Sequence, residues 1–164
     1  MGQDLRTECE GDTVTDPTIR QATVSDLSAL SSLERAWGGE EITWGFVGAT
    51  EEGLASAIRD GCLVAEADGS VVGYASMSVH TSEGLAVVPK GETYLVLDNL
   101  YVLPPYRDAG LGRRLVEAVE THARRQGMRA ILVYSATKDM HRIMRFYENC
   151  GFTSWFVQLF RELR

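Results

Sequence analysis

The sequence predicts a single α/β sandwich of about six strands with helices on both faces, and three observations carry that prediction. Short apolar and β-branched runs recur at 18–23, 62–67, 71–80, 93–104, 129–135 and 152–160, the lengths of strands. Between them, 25–37, 51–61, 111–126 and 139–151 place apolar residues three and four apart, the spacing of helices. A helix between the runs at 93–103 and 129–135 is a crossover, which makes those two strands parallel neighbours.

Taken in order, "TIRQAT" alternates as a short strand, and Leu27, Leu30, Leu33 and Trp37 follow at helical spacing with Ser25 placed as N-cap. "EEGLASAIRDG" (51–61) is a second helix stopped by Gly61. "CLVAEA", "DGS" and "VVGYASMSVH" read as a hairpin turning at Asp68–Gly69. After a polar stretch at 81–92 comes "TYLVLDNLYVLP", the most strand-like run. Leu111, Leu115, Val119 and His122 then share a helix face, with Gly127 as its stop. "RAILVYS" is a buried strand, "DMHRIMRFYENCG" a helix, and "FTSWFVQLF" a last strand apolar on both faces.

Composition narrows the function classes. The 164 residues, 45% hydrophobic and 24% charged, suit one globular domain over 18–164. Residues 1–17 are acidic and aperiodic, which predicts a disordered tail. No apolar run approaches the ~20 residues of a membrane span. "MGQDLRTECEGDTVTDP" has no apolar signal region, and Arg6 breaks a myristoylation pattern at Gly2, so a cytoplasmic location with no membrane partner is expected. The net charge of −7 disfavours nucleic acid as a partner. That charge is uneven: residues 1–103 are acidic and 104–164 carry a net +5. Cys9, Cys62 and Cys150 lack metal-ligand or disulfide spacing, and no HExxH occurs, so no metal is expected.

The segment "PPYRDAGLGRRL" (104–115) stands where a strand meets a helix. Helix N-termini present unpaired N–H groups and a positive dipole end, and glycines let a ligand approach the backbone, so the junction reads as an anion site. GxxxxGK[ST] is absent, which argues against a P-loop. GxGxxG fails at Leu115, and no acid ends the next strand, which weakens a dinucleotide-dependent oxidoreductase. What stands is R-x-x-G-x-G: Arg107, Gly110, Gly112.

At this point the chain resembles the GNAT superfamily of N-acetyltransferases, in which Q/R-x-x-G-x-G/A after a strand binds the pyrophosphate of acetyl-coenzyme A. "LDNLYVLPPYRDAGLGRRLVEAVETHARRQG" is similar to that family's strand, loop and long helix. "FYENCGF" (146–152) resembles its second signature, and "TIRQATVSDL" its opening strand. The resemblance implies a mixed, mostly antiparallel sheet with a splayed parallel pair at its centre. It also implies acetyl-coenzyme A as co-substrate, with no metal, and direct transfer to a primary amine in a ternary complex.

On that resemblance the coenzyme residues are Leu100, Tyr101 and Val102 on the strand and Arg107, Asp108, Ala109, Gly110, Leu111, Gly112 and Arg113 on the loop. Lys138 and Arg142 are flanking cations. Tyr147 is the candidate acid for the departing thiolate, a phenol being protonated at neutral pH. Asp98 is the first candidate base, since strict alternation puts it on one face with Leu100 and Val102, and Glu40 and Glu41 are the second choice. Trp37, Glu40, Glu41 and Trp44 in the connection after the first helix are the candidate amine pocket, by charge and cation–π contact. The acceptor stays open among small amines, polyamines, aminoglycosides, amino acids and protein amines. A catalytically silent acyl-coenzyme-A sensor of the same fold is the alternative.

Two departures from the family pattern stand out. Met140 occupies the position of a frequent Asn, leaving Thr137 or Asp139 to cap the last helix. No Gly, Asn or Asp after Gly151 can turn a final hairpin, so the last strand, buried on both sides, is expected to complete its sheet with a partner chain as a homodimer.

Overall fold

The computed structural model describes residues 16–163. Of the acidic segment 1–17, all but Asp16 and Pro17 lie outside the described residues. Those two are held by Arg114, which pairs with the Asp16 carboxylate at 2.6 Å and donates to the Pro17 carbonyl at 2.8 Å.

Among the described residues five strands form one sheet in the order β1 (Thr18–Gln21), β2 (Cys62–Ala67), β3 (Ser70–Thr81), β4 (Thr93–Val102), β5 (Ile131–Val133). The first four pair antiparallel, and β4 pairs parallel with β5. The β2–β3 hairpin turns where expected. Asp68 and Gly69 both have positive φ, 50° and 73°, the hand that matches the twist of the strands it joins.

Helices cover both faces. α1 (Leu27–Glu40) and α2 (Glu51–Gly61) bury Leu30, Leu33, Leu54 and Ile58 against Val64, Tyr74 and Tyr101. α3 (Leu111–Arg125) lays Leu111, Leu115, Val116, Val119 and Ala123 on the opposite face, over Leu95, Leu97 and Val102. Each such Leu or Val contributes about 1.5–3 kcal/mol on leaving water. His122, expected on this face, is half-buried beside it, and Ala123 takes the core position. α4 (Met140–Asn149) adds Phe146 and Tyr147 to the same side.

Three sequence expectations change. Ser25 is not the N-cap. Thr23 opens the turn at Val24–Asp26 instead, its N–H donating to Asp26 Oδ2 at 2.7 Å, because Arg20 anchors the buried Asp26 carboxylate. The run at 129–135 yields only three strand residues, since the chain parts from β4 after Val133. The last strand does not form. Residues 153–163 lie outside any ladder, and Trp155, Phe156, Val157, Leu159 and Phe160 are exposed. Apolar residues on both faces demand two covering layers, and among the described residues no strand pairs with this segment, whose Phe160 ring meets Trp44 edge-on at 5.9 Å. The parallel pair therefore sits at the edge of a five-stranded sheet and not at the centre of a six-stranded one.

Among the described residues no helix is long and apolar enough to cross a membrane. Cys62 and Cys150 are free thiols.

Arg20 joins β1 to the first turn and to β2, bonding Asp26 at 2.8 Å twice and Glu66 at 2.9 Å. The guanidinium, assisted by Thr23, holds the Asp26 carboxyl at about 2, below its ordinary 3.8. A depressed carboxyl contributes stability above its unfolded value and loses it as pH falls through the folded one. Asp26→Asn is therefore expected to lower unfolding stability by about 1–2 kcal/mol at neutral pH. Urea unfolding at a series of pH values should show the gap to wild type closing between about 4 and about 2.

Candidate active site

β4 and β5 share only three residue pairs, Leu95 with Ile131, Val96 with Leu132 and Leu97 with Val133. Past Leu97 the β4 edge facing β5 has no ladder. That edge carries the backbone groups of Leu100 and Val102, two of the strand positions expected to meet the coenzyme; those of the third, Tyr101, face Tyr74 on β3, and the Val102 carbonyl accepts from Arg107 Nε at 2.7 Å.

The parting begins at a β-bulge. Asn99 opposes Ser76 and Leu97 opposes Met77, so Asp98 is the extra residue. Leu95 and Leu97 face the α3 core; beyond the bulge Leu100 and Val102 do, while Tyr101 joins the α1–α2 core. Strict alternation thus fails here. Asp98 does not share a face with Leu100 and Val102; it bonds Ser78, which stands on the Tyr74–Ser76 face. Burial outweighs the Ser78 bond and the nearby His80, and raises the Asp98 carboxyl above its ordinary value. His80 Nε2 and Ser78 Oγ are 2.9 Å apart, and the His80 ring stacks on Tyr94.

After β4, a turn at Pro104–Tyr106 leads to the glycine segment. Asp108 (φ 63°) and Gly110 (φ 81°) are left-handed on either side of Ala109, an alternation that aims successive N–H groups into one concavity. A Cβ at Gly110 would meet nothing within 4 Å, so space lies open there. The first helical bond of α3 runs from Arg114 N–H to the Gly110 carbonyl at 3.1 Å. The Leu111, Gly112 and Arg113 amides precede it and lack intrahelical partners. The Leu111 side chain is buried, so its contribution to the loop is its backbone. Gly112 lies against Phe146, where a Cβ would stand 3.4 Å from the ring. These amides, the open space and the unpaired β4 edge fit an extended ligand ending in phosphate.

The flanking cations differ in placement. Arg113 pairs with Glu117 at 3.2 Å on the exposed side of α3. Arg142 reaches Asp108 at 3.5 Å, bringing α4 to the loop. Asp139 caps α4, accepting from the Arg142 amide at 3.0 Å, which settles the choice between Thr137 and Asp139. Lys138 lies 5.4 Å from the Trp44 ring centre, on the exposed connection after α1.

Tyr147 sits on the α3 side of the sheet between Phe146 and Phe152, both edge-on at 5.0 and 5.4 Å. Its hydroxyl has no hydrogen-bond partner among the described residues. Burial pushes the phenol well above its ordinary value. It is a protonated donor with its proton uncommitted. Asp98 and Tyr147 consequently lie on opposite sides of the parted strands.

The four acceptor candidates divide. Trp37 and Glu40 turn inward: Trp37 stacks on Tyr101 at 5.4 Å and donates to Thr43 Oγ1 at 3.0 Å, and Glu40 meets Arg107 and Tyr101. Glu41, left-handed at φ 52°, ends α1 and points the chain into an exposed connection that carries Trp44. That connection is tied to the segment after β5 by Trp44 N–H to the Ala136 carbonyl and Lys138 N–H to the Ile42 carbonyl, both 2.8 Å. Glu34 was missed by sequence reasoning. It is buried on α1, accepts from the Ala49 amide at 2.8 Å and from the Tyr74 hydroxyl, and so fixes the far end of the same connection. An isolated acid at a core position of an amphipathic helix was the signal.

Among the described residues no cluster of His, Cys, Asp or Glu could hold a metal ion.

An aminoglycoside N(6')-acetyltransferase type 1 of Stenotrophomonas maltophilia is 31% identical over 144 residues, covering 83% of this chain and 86% of that one. A mycothiol acetyltransferase of Thermobispora bispora is 35% identical over 99 residues, 60% of this chain. The matched part is only 32% of that relative's own length, so most of it has no counterpart in this comparison. Among solved structures, aminoglycoside N-acetyltransferase AAC(6')-Iy in complex with CoA superposes with a TM-score of 0.67 at 19% identity, covering 91% of this chain and 95% of that one. The meta-AAC0020 aminoglycoside acetyltransferase from an uncultured soil sample gives 0.69 at 18% identity, over 90% and 97%. The model of the acetyltransferase (GNAT) family matches residues 29–152, spanning the parted strands, the glycine loop and Tyr147, and the chain belongs to that family of acyltransferases.

Proposed function

We propose that the protein transfers an acetyl group from acetyl-coenzyme A directly to a primary amine, within one domain over 18–164. The observation that carries this reading is the unpaired β4 edge leading straight into a loop of unpaired amides. Acetyl-coenzyme A supplies an activated acetyl thioester. The amides from Asp108 to Arg113 hold its pyrophosphate, with the α3 dipole behind them and Arg142 beside them. Backbone groups of Leu100 and the Val102 N–H hold the pantetheine arm as a strand would, and one N–H polarises the carbonyl, while Tyr101 between them stays paired to β3.

Acid and base work from opposite faces. Asp98 takes the ammonium proton, directly or through a water, on the α1–α2 side. Tyr147 gives its phenolic proton to the leaving sulfur on the α3–α4 side. A raised carboxyl is a stronger base than an ordinary one, and an uncommitted phenol is ready to donate. Glu41 and Trp44 stand on the exposed connection and receive a cationic amine. The named aminoglycoside acetyltransferases among the relatives favour a polycationic small molecule within that class. A cytoplasmic location fits such a substrate. The exposed apolar segment 153–163 supports a homodimer in which a second copy covers it, and a concentration-independent monomer mass in sedimentation would remove that part.

Two outcomes are expected. Gly110→Trp fills the open space at the loop and should abolish coenzyme A binding in calorimetry while circular dichroism stays native; unchanged affinity would remove the loop from the site. With any acceptor found by thiol release, Tyr147→Phe and Asp98→Asn should each lower kcat by roughly a hundredfold or more. The acidic limb of the wild-type rate profile should lie above the ordinary carboxylate range and vanish in Asp98→Asn. Binding without turnover on any amine would leave an acyl-coenzyme-A sensor.

A further inference from the structure

The first residue of the R-x-x-G-x-G signature is occupied elsewhere. Arg107 donates to Glu40 through both terminal nitrogens, at 2.7 and 2.6 Å, and through Nε to the Val102 carbonyl at 2.7 Å. Its amide donates to the Pro104 carbonyl at 3.2 Å. The Tyr101 hydroxyl donates to the same Glu40 carboxylate at 2.6 Å, and the guanidinium lies 5.4 Å from the Tyr101 ring centre. Trp37 stacks on Tyr101 and donates to Thr43. A continuous set of contacts thus runs from the acceptor connection through Trp37, Tyr101 and Glu40 to the start of the coenzyme loop.

We propose that Arg107 is not a pyrophosphate ligand but one half of an interlock with Glu40, through which the end of α1 sets the shape of the coenzyme loop. This rests on the coenzyme reading of the loop given above. Glu40 is the last residue of α1, and Glu41 turns the chain into the acceptor connection, so whatever moves that connection pulls on Arg107. Both side chains are about three-quarters buried, which makes a bidentate pair between them worth keeping. Were Arg107 to swing to a pyrophosphate, it would leave a largely buried carboxylate with the Tyr101 hydroxyl alone and no cation, beside an incoming anion. Paired, Glu40 is neutralised and the amides from Asp108 to Arg113 are left to do the holding. Glu40 and Arg107 are positioning residues, and the coupling is reciprocal: an acceptor that orders the connection tightens coenzyme binding by the same factor.

The two roles for Arg107 predict opposite signs for one variant. Coenzyme A binding is measured by calorimetry at two ionic strengths on wild type, Glu40→Gln, Arg107→Gln and the double variant, with circular dichroism as the fold check. The interlock predicts that each single change weakens binding by roughly tenfold, that the double is no worse than either single, and that the salt dependence is unchanged in Arg107→Gln. The charge-exchanged pair Glu40→Arg with Arg107→Glu should recover part of the loss. If Glu40→Gln binds as well as wild type or better, while Arg107→Gln weakens binding and flattens its salt dependence, Arg107 is a ligand and the interlock is wrong. Should Glu40→Gln not fold, Tyr101→Phe removes one of the carboxylate's bonds: weaker coenzyme binding supports the interlock, and no change overturns it. No binding by folded wild type would remove the coenzyme reading itself, and the interlock with it.

Discussion

The site depends on the parting of two parallel strands. Backbone N–H and C=O groups inside a sheet are spoken for by their neighbours, and a ligand can use them only where the ladder stops. Here it stops after Leu97, because Asp98 is bulged and β5 turns away after Val133. The same event exposes the β4 edge, moves Asp98 to the α1–α2 face and keeps Leu100 and Val102 in the α3 core. Everything the proposed chemistry requires lies along that split: an open edge, an amide-lined loop at its end, a carboxyl on one side and a phenol on the other.

The two covering layers have different duties. α3 and α4 bring the anion loop, the Arg142 cation and the Tyr147 hydroxyl to one face, held by a contiguous apolar core. α1 holds the opposite face through polar groups. Glu34 fixes one end of the 41–50 connection at Ala49, and Glu40 fixes the glycine loop at Arg107. Acids that are buried or nearly so, with several donors each, are costly to leave unpaired, so they hold single arrangements where exposed ion pairs would not. The exposed Arg113–Glu117 and Arg124–Glu120 pairs on α3, by contrast, contribute little to position anything.

Much of this was legible in the sequence. Periodicity located every helix and the first four strands, and Asp68–Gly69 announced its hairpin. The R-x-x-G-x-G and FYENCGF stretches sit where the split and the α4 phenol are. What escaped depended on partners distant in sequence. A bulge inserts one residue into one strand of a pair, so alternation along β4 alone could not reveal that Asp98 changes face. The Arg107–Glu40 pair joins residues 67 apart, and read singly one looked like a phosphate ligand and the other like an amine ligand. Thr23 displaced Ser25 as cap because Arg20 bonds Asp26, a contact that a propensity for serine at N-caps does not contain. The C-terminal run had a strand's composition, but a strand also requires a neighbour to pair with, and none pairs with it among the described residues.

The most direct test of the account is where coenzyme A touches the backbone. Amide shifts followed by nuclear magnetic resonance, as unlabelled coenzyme A is added to the isotope-labelled protein, report that without assuming an acceptor. The account predicts the largest changes at Leu100 to Val102 and Asp108 to Arg113, on the two sides of the Pro104–Tyr106 turn. Saturable changes confined to other strands or to the α2 side, with the loop silent, would contradict it.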